Sequence, residues 1–103
     1  MSETTITPVV MPKWGLSMRE GTVNEWLVEV GDEIVTGMPI LNVETDKIAN
    51  AVEATDAGIL RRKVAEEGDV LPVKALLGVM APEGVSDAQI DQFIQSWVVP
   101  AAD

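Results

Sequence analysis

Branched apolar residues occur along this chain in short runs that are separated by turn-forming residues. Valine and isoleucine total 22, against 7 leucines, and β-branched side chains favour pleated strands over helices. The interruptions are Pro12, Gly15, Gly21, Gly31-Asp32, Gly37-Met38-Pro39, Asp56-Ala57-Gly58, Gly68-Asp69, Pro72 and Pro82-Glu83-Gly84. Because the gaps between them suit strands and are too short for helices, the pattern predicts an all-β domain.

The same pattern is repeated in the two halves of the chain at a shift of 37 residues. The shift places Gly21 on Gly58, Glu29 on Glu66, Gly31 on Gly68 and Asp32 on Asp69, and it pairs Val23 with Leu60, Leu27 with Val64, Ile34 with Leu71, Ile40 with Leu77 and Val43 with Met80. It also places residues 48–54 on 11–17, so that the first half starts near Met11 and 43–48 is the join. We therefore predict a pseudo-two-fold sandwich of two interleaved halves, each with about four short strands.

The pattern changes after Gly84. Ser86 suits a helix N-cap, and Gln89 three residues later completes a capping box. A short helix with one apolar stripe should follow, which packs either on this domain or on a neighbouring one. The stripe consists of Ile90, Phe93, Ile94 and Trp97.

The length of 103 residues, 47% of them apolar, suits one domain with its own core. We predict a domain over residues 1–84 and a helical extension over residues 85–97. Residues 98–103 would form a linker or the end of the expressed piece. We expect the isolated domain to be monomeric.

The residue types that are missing limit the chemistry. The chain has no His, Cys or Tyr, so it cannot build a His-based triad, a thiol nucleophile or an ordinary zinc or copper site. We predict no catalytic residue, no metal site and no enzymatic activity in the isolated domain. The formal net charge of −10 opposes binding to nucleic acid or to an anionic membrane surface. The start has no signal-like segment and Cys is absent, so we expect a cytoplasmic protein.

One lysine has an unusual context. Lys47 lies between two strand-like runs at the join of the two halves, after a Thr45-Asp46 pair that suits a tight turn. For a lysine in general, a solvated surface role is the ordinary interpretation. If Glu44, Asp46 and Glu53 lie close, they stabilise the charge of Lys47 and make its amine a poor nucleophile. Another enzyme would therefore have to modify it.

Longer stretches around Lys47 carry a family resemblance. They are Gly31-Asp32-Glu33-Ile34, Ile40, Val43-Glu44-Thr45-Asp46-Lys47-Ile48-Ala49, Val52-Glu53-Ala54, Gly58-Ile59-Leu60 and the run from Met11 to Gly21. This part of the chain, about residues 5–84, resembles the lipoyl domain of 2-oxo acid dehydrogenase acyltransferase components. The run Met-Pro-Lys-Trp-Gly-Leu-Ser-Met and Leu60-Arg61-Arg62 further resemble the acyltransferases of acetoin dehydrogenase complexes.

The resemblance implies a flattened barrel of two four-stranded antiparallel sheets, with Lys47 at a hairpin tip and lipoate in amide linkage to its Nζ. It also implies a set of partners: a lipoate ligase or lipoyl transferase, a thiamine-diphosphate-dependent component, an acyltransferase domain with coenzyme A, and dihydrolipoyl dehydrogenase. The domain would carry acyl groups and reducing equivalents between them, with acetoin cleavage to acetyl-CoA as the expected reaction.

Residues beside Lys47 take expected roles from the same resemblance. Glu44, Thr45, Asp46 and Ile48 match the family motif and are expected to shape the turn rather than to catalyse. The family places the loop between its first two strands, here residues 13–20, beside the lysine. Its bulky side chains could recognise the decarboxylating partner or simply cover the edge of the core, and we weigh these two roles equally. They are Trp14, Leu16 and Met18.

Other functions remain open at this point. A biotinyl carrier domain shares the architecture, but it usually flanks its lysine with methionines, which Asp46 and Ile48 do not match. A glycine-cleavage carrier normally has a longer chain. An unmodified acidic protein-binding module would use the acidic surface and the apolar stripe. The peripheral-subunit-binding domain common in this family is typically basic, unlike residues 86–97.

Overall fold

Eight strands and one helix are formed in the computed structural model, which describes residues 6–14, 18–46 and 48–97. The strands are β1 (Thr7–Val10), β2 (Glu20–Trp26), β3 (Glu33–Ile34), β4 (Pro39–Glu44), β5 (Ala49–Glu53), β6 (Gly58–Lys63), β7 (Val70–Pro72) and β8 (Leu76–Ala81), and the helix is α1 (Asp87–Ser96). The strands are short because glycine, proline and Asp-containing turns interrupt every apolar run, as the sequence pattern predicts.

The strands form two four-stranded antiparallel sheets. Sheet A has the order β1-β8-β6-β3, and sheet B has the order β5-β4-β2-β7. Exchanging β1 with β5, β2 with β6, β3 with β7 and β4 with β8 converts one order into the other. The predicted all-β, pseudo-two-fold architecture is therefore confirmed. Each half contributes strands to both sheets, so neither half has a complete sheet of its own.

The first strand does not follow the 37-residue shift. Thr7 pairs with Met80, and the equivalent pair in sheet B joins Asn50 to Val43. Met80 and Val43 are 37 residues apart, whereas Thr7 and Asn50 are 43 apart. The prediction that the first half starts near Met11 is therefore wrong, because six additional residues lie in the β1–β2 connection and only strand pairing reveals them.

The core lies between the two sheets. Three of the five apolar pairs predicted from the repeat are buried there on both sides, with exposures of at most 1%. These pairs are Val23 with Leu60, Ile40 with Leu77, and Val43 with Met80. Leu27 and Val64 are instead exposed, at 42% and 37%, although their N–H groups donate to the equivalent carbonyls of Ile40 and Leu77. The repeat thus preserves their backbone position without burying their side chains.

Left-handed backbone positions also occur in pairs related by the repeat. Gly31 and Gly68 have φ values of 100° and 98°, and Gly37 at 88° corresponds to Lys74 at 75°. Of these four residues, Lys74 alone carries a side chain in this strained region. Gly58 is not among these left-handed positions and lies at the start of β6.

Helix α1 covers the outer face of sheet A. Ser86 caps its first turn and forms a capping box with Gln89, as predicted. The apolar stripe of α1 packs on Leu76, Val79, Ala81 and Val85, which decides that the helix docks on this domain. At the start of the helix, Arg61 pairs with Asp87 at 3.2 Å.

The helix returns along the sheet towards the start of β8. At its end, Trp97 Nε1 donates to the carbonyl of Lys74 at 3.2 Å. Within the part of the chain that the structure describes, no helix has the length and apolar character needed to cross a membrane.

Candidate functional site

The β4–β5 turn contains the site residues expected from the sequence. Lys47 itself lies outside the described residues, while Thr45 and Ile48 on either side of the tip are held together. The Thr45 N–H donates to the Ile48 carbonyl at 2.7 Å. The Thr45 hydroxyl donates to the same carbonyl at 3.3 Å and accepts the Ile48 N–H at 3.2 Å. Both the backbone and the side chain of Thr45 therefore close the turn.

The turn faces solvent. Glu44 and Asp46 are exposed, Thr45 is half-buried, and Ile48 exposes 44% of its surface. An apolar side chain exposed to this degree beside the tip contributes little to folding. The residues around position 47 are thus accessible to another protein.

One of the three acids considered for the charge of Lys47 lies far from the described residues of the turn. Glu53 pairs with Pro39 at the far end of the β4–β5 ladder, whereas Glu44 pairs with Ala49 next to the turn. At about 3.3 Å per strand residue, Glu53 lies about 13 Å along β5 from Ala49. Glu53 therefore does not meet the condition of lying close to the turn, because β5 runs directly away from the tip.

Glu44 is held by a residue that the sequence interpretation did not identify. Asn24 Nδ2 donates to Glu44 Oε1 at 3.1 Å. Asn24 lies at a bulge in β2, where the pairing with β4 shifts between Val23 and Glu25. A bulge redirects a side chain, here towards the end of the neighbouring strand. The 37-residue repeat aligns Asn24 with Arg61, where the pairing of β6 with β8 shifts in the same way. Because the two residue types differ, the repeat did not reveal that both lie at bulges.

The β1–β2 loop approaches the turn, as the family resemblance implies. The Trp14 N–H donates to Met18 Sδ at 3.3 Å, and both side chains pack partly against the core. They also line a surface groove of about 850 Å³ together with Thr22 and the turn residues Thr45 and Ile48. Trp14 therefore covers the core edge and is also presented beside the turn.

The structure does not describe Leu16, so its placement relative to this groove remains a prediction. The roles of Trp14 and Met18 in recognition are also still predictions. The six additional residues of the β1–β2 connection lie in the same loop. This loop is the largest local difference between the two halves of the strand framework.

The described side chains at the turn provide a means of presentation. Across residues 6–14, 18–46 and 48–97, no group of three or more His, Cys, Asp and Glu could hold a metal ion. The Thr45 hydroxyl closes the turn, and the Asn24 amide holds Glu44. What the turn can do chemically is to hold a side chain outward for another protein to modify or bind.

Comparison with known proteins identifies the family. The Biotin_lipoyl family model, described as "Biotin-requiring enzyme", matches residues 7–80, which run from the start of β1 almost to the end of β8. The chain belongs to the Biotin_lipoyl family. This domain is 73% identical over 99 residues to the dihydrolipoyllysine-residue acetyltransferase component of the acetoin cleaving system of Cupriavidus necator, covering 96% of this chain and 26% of that protein.

Two further relatives bear similar names. The corresponding acetoin-system component of Pseudomonas putida is 50% identical over 87% of this chain and 24% of its own length. The acetyltransferase component of the pyruvate dehydrogenase complex of Rickettsia prowazekii is 38% identical over 84% of this chain and 21% of its own length. The predicted resemblance to acyltransferase lipoyl domains is confirmed. The chain spans about a quarter of the length of these relatives.

A solved structure supports the fold. A single-chain, multi-domain long-chain acyl-CoA carboxylase matches 87% of this chain and 9% of its own, with a TM-score of 0.61 and 21% identity. At this identity the likeness concerns the Biotin_lipoyl fold alone.

Proposed function

We propose that this domain is a lipoyl carrier whose Lys47 Nζ forms an amide with lipoate. The observation that carries the proposal is the exposed β4–β5 turn, closed between Thr45 and Ile48 around the position of Lys47 in a member of the Biotin_lipoyl family. Asp46 and Ile48 are both exposed, so the neighbours of Lys47 leave room for a modifying enzyme. This part of the surface suits a long, solvent-facing arm.

The residues present determine which tasks belong to lipoate and which to the protein. When bound, lipoate supplies a dithiolane that accepts acyl groups and electrons, which the side chains of this chain cannot do. The protein residues position the arm: Thr45 closes the turn, and Asn24 holds Glu44 at the end of β4. Tethering to a stable domain raises the local concentration of the arm at each enzyme that it visits. The isolated domain therefore acts as a carrier without catalysing a reaction itself.

The partners belong to the same proposal. A lipoate ligase or lipoyl transferase attaches the arm, and a thiamine-diphosphate-dependent component loads it with an acyl group. An acyltransferase domain moves that group to coenzyme A, and dihydrolipoyl dehydrogenase reoxidises the arm. Identity of 73% to an acetoin-system component, against 38% to a pyruvate dehydrogenase component, favours acetoin cleavage as the setting. A cytoplasmic location is part of the proposal.

The domain boundaries form a further part of the proposal. Residues 1–84 make up the carrier domain, residues 85–97 a helical extension, and residues 98–103 a linker or the end of the expressed piece. The span of about a quarter of each relative supports this organisation. The acyltransferase activity would reside in the remaining three quarters.

The test is the intact mass of the chain after expression with a lipoate ligase and lipoate. We expect one lipoyl increment, which Lys47→Arg abolishes and the matched control Lys74→Arg retains. A folded parent chain without the increment would overturn the proposal. An increment with biotin and a biotin ligase, but none with lipoate, would assign the domain to the biotin carriers instead.

A further inference from the structure

The turn after β4 is closed differently from its equivalent after β8. Under the 37-residue shift, Thr45 corresponds to Pro82 and Ile48 to Val85. The Val85 N–H donates to the backbone carbonyl of Pro82 at 3.2 Å. The equivalent N–H of Ile48 donates to the Thr45 side-chain hydroxyl at 3.2 Å. The same framework thus uses a side-chain oxygen at one turn where it uses a backbone oxygen at the other.

We propose that the Thr45 hydroxyl is a positioning group that holds the turn in the shape which a lipoate-attaching enzyme accepts. This inference rests on the proposed attachment of lipoate to Lys47. Thr45 would act through the backbone of the turn, because its hydroxyl contacts both the N–H and the carbonyl of Ile48. These contacts fix Ile48 relative to Thr45 on either side of the tip.

The hydroxyl contributes to the shape of the turn more than to the stability of the domain. Ile48 is 44% exposed and its N–H belongs to a solvent-facing turn, so water can replace the lost partner. The core between the sheets does not include Thr45 or Ile48. A change at Thr45 can therefore alter modification while leaving folding nearly intact.

The expected kinetic signature follows from conformational populations. If only a fraction of the molecules has the turn in the accepted shape, the apparent affinity of the enzyme for the domain falls to that fraction of its intrinsic value. Once the accepted shape is bound, Lys47 meets the same chemistry as in the parent. Loss of the hydroxyl should therefore raise KM for the domain and leave kcat nearly unchanged.

The experiment compares three variants of the whole chain as substrates of a lipoate ligase. Thr45→Val keeps the shape and removes the hydroxyl, Thr45→Ser keeps the hydroxyl, and Thr55→Val is the matched control. Thr55 is an exposed threonine whose hydroxyl contacts only the neighbouring Asp56 among its described hydrogen bonds. We expect T45V to raise KM about tenfold, as for a competent fraction of about one tenth, while T45S and T55V stay within about twofold of the parent.

A second measurement reports on the turn without any modification. Amide hydrogen exchange at Ile48 should be faster in T45V than in the parent and should return towards the parent rate in T45S. The thermal midpoint of T45V should change little. If T45V does not fold, Thr45→Ala replaces it in both measurements.

The outcomes separate this inference from the proposed function. If the parent is lipoylated and T45V has the parent's KM, the positioning role is overturned and the carrier function stands. Equal increases of KM in T45V and T45S would also overturn it, because the hydroxyl would then not be the cause. If the folded parent is not lipoylated at all, both the carrier function and this inference are overturned.

Discussion

The two ends of the pseudo-symmetric framework share a backbone design and differ in what covers them. At the β4 end, the bulge residue Asn24 reaches the exposed Glu44. At the β8 end, its equivalent Arg61 reaches the Pro82 carbonyl at 2.7 Å and Asp87 in the following helix. The equivalent bulges therefore support an open turn at one end and a covered helix start at the other.

The surfaces of the two sheets show the same contrast. Leu76, Val79 and Ala81 of sheet A pack beneath α1. Their equivalents in sheet B are the exposed Pro39, the half-buried Asn42 and the exposed Glu44. The two halves therefore share one framework, while side-chain polarity leaves this face of sheet B exposed and covers that of sheet A with a helix.

The largest expected effect tests whether the halves contribute equally to the core. Ile40→Ala and Leu77→Ala each remove a fully buried side chain at equivalent positions. We expect each to lower the free energy of unfolding by about 3 kcal/mol, measured by urea denaturation. The exposed control Leu27→Ala should change it by less than about 1 kcal/mol. A difference of more than about 2 kcal/mol between the two core variants would show that the halves are energetically unequal.

A smaller loss of stability is expected at helix α1, which covers sheet A and has no equivalent on sheet B among the described residues. Ile90 of α1 is completely buried in the cluster that the helix forms with sheet A. Ile90→Ala should lower the free energy of unfolding by about 2 kcal/mol, because it leaves a cavity between the helix and sheet A. The exposed Gln92→Ala on the same helix is the control.

If Ile90→Ala leaves the urea midpoint of the parent unchanged, α1 is not part of the cooperative fold. Lipoylation of the Ile90→Ala variant should proceed at the parent rate, because the turn after β4 belongs to the other sheet. A large loss of lipoylation in a folded Ile90→Ala variant would contradict the independence of the two ends.

The two bulge residues should differ in importance. Arg61→Ala removes a hydrogen bond to a half-buried carbonyl and an ion pair with the helix start. We expect a loss of about 1 to 2 kcal/mol in the free energy of unfolding. Asn24→Ala removes an exposed hydrogen bond and should cost less than about 0.5 kcal/mol. Equal losses for the two variants in urea denaturation would show that the helix adds nothing to the role of Arg61.

The smallest expected effect concerns the paired left-handed positions. Lys74 carries a side chain at φ 75°, where its equivalent is Gly37. Lys74→Gly should stabilise the domain by about 0.5 kcal/mol, since relief of about 1 kcal/mol of backbone strain outweighs the greater freedom of glycine in the unfolded chain. The reverse change, Gly37→Lys, should destabilise it by a similar amount. A thermal midpoint lowered by Lys74→Gly would indicate that the Lys74 side chain has a stabilising contact.

Some features of the site could be predicted from adjacent residues. Thr45 and Asp46 indicated a tight turn, and the turn is closed between Thr45 and Ile48. The bond from Ile48 to the Thr45 hydroxyl could not be predicted, because a threonine in a turn can use its side chain or its backbone. The contact of Asn24 with Glu44 could not be predicted, because a bulge depends on the strand opposite. The distance of Glu53 from the tip could not be predicted either, because it depends on the direction of β5.

The local sequence pattern was sufficient to predict the all-β class, the 37-residue repeat and the capping box of α1. Each of these depends on residues close in sequence or on a periodic arrangement of apolar side chains. Strand order, the six additional residues in the β1–β2 connection and the docking of α1 on sheet A were decided by tertiary structure. These features depend on pairing and burial between distant segments, and a short apolar stripe or strand can satisfy its contacts with more than one partner until the whole chain has folded.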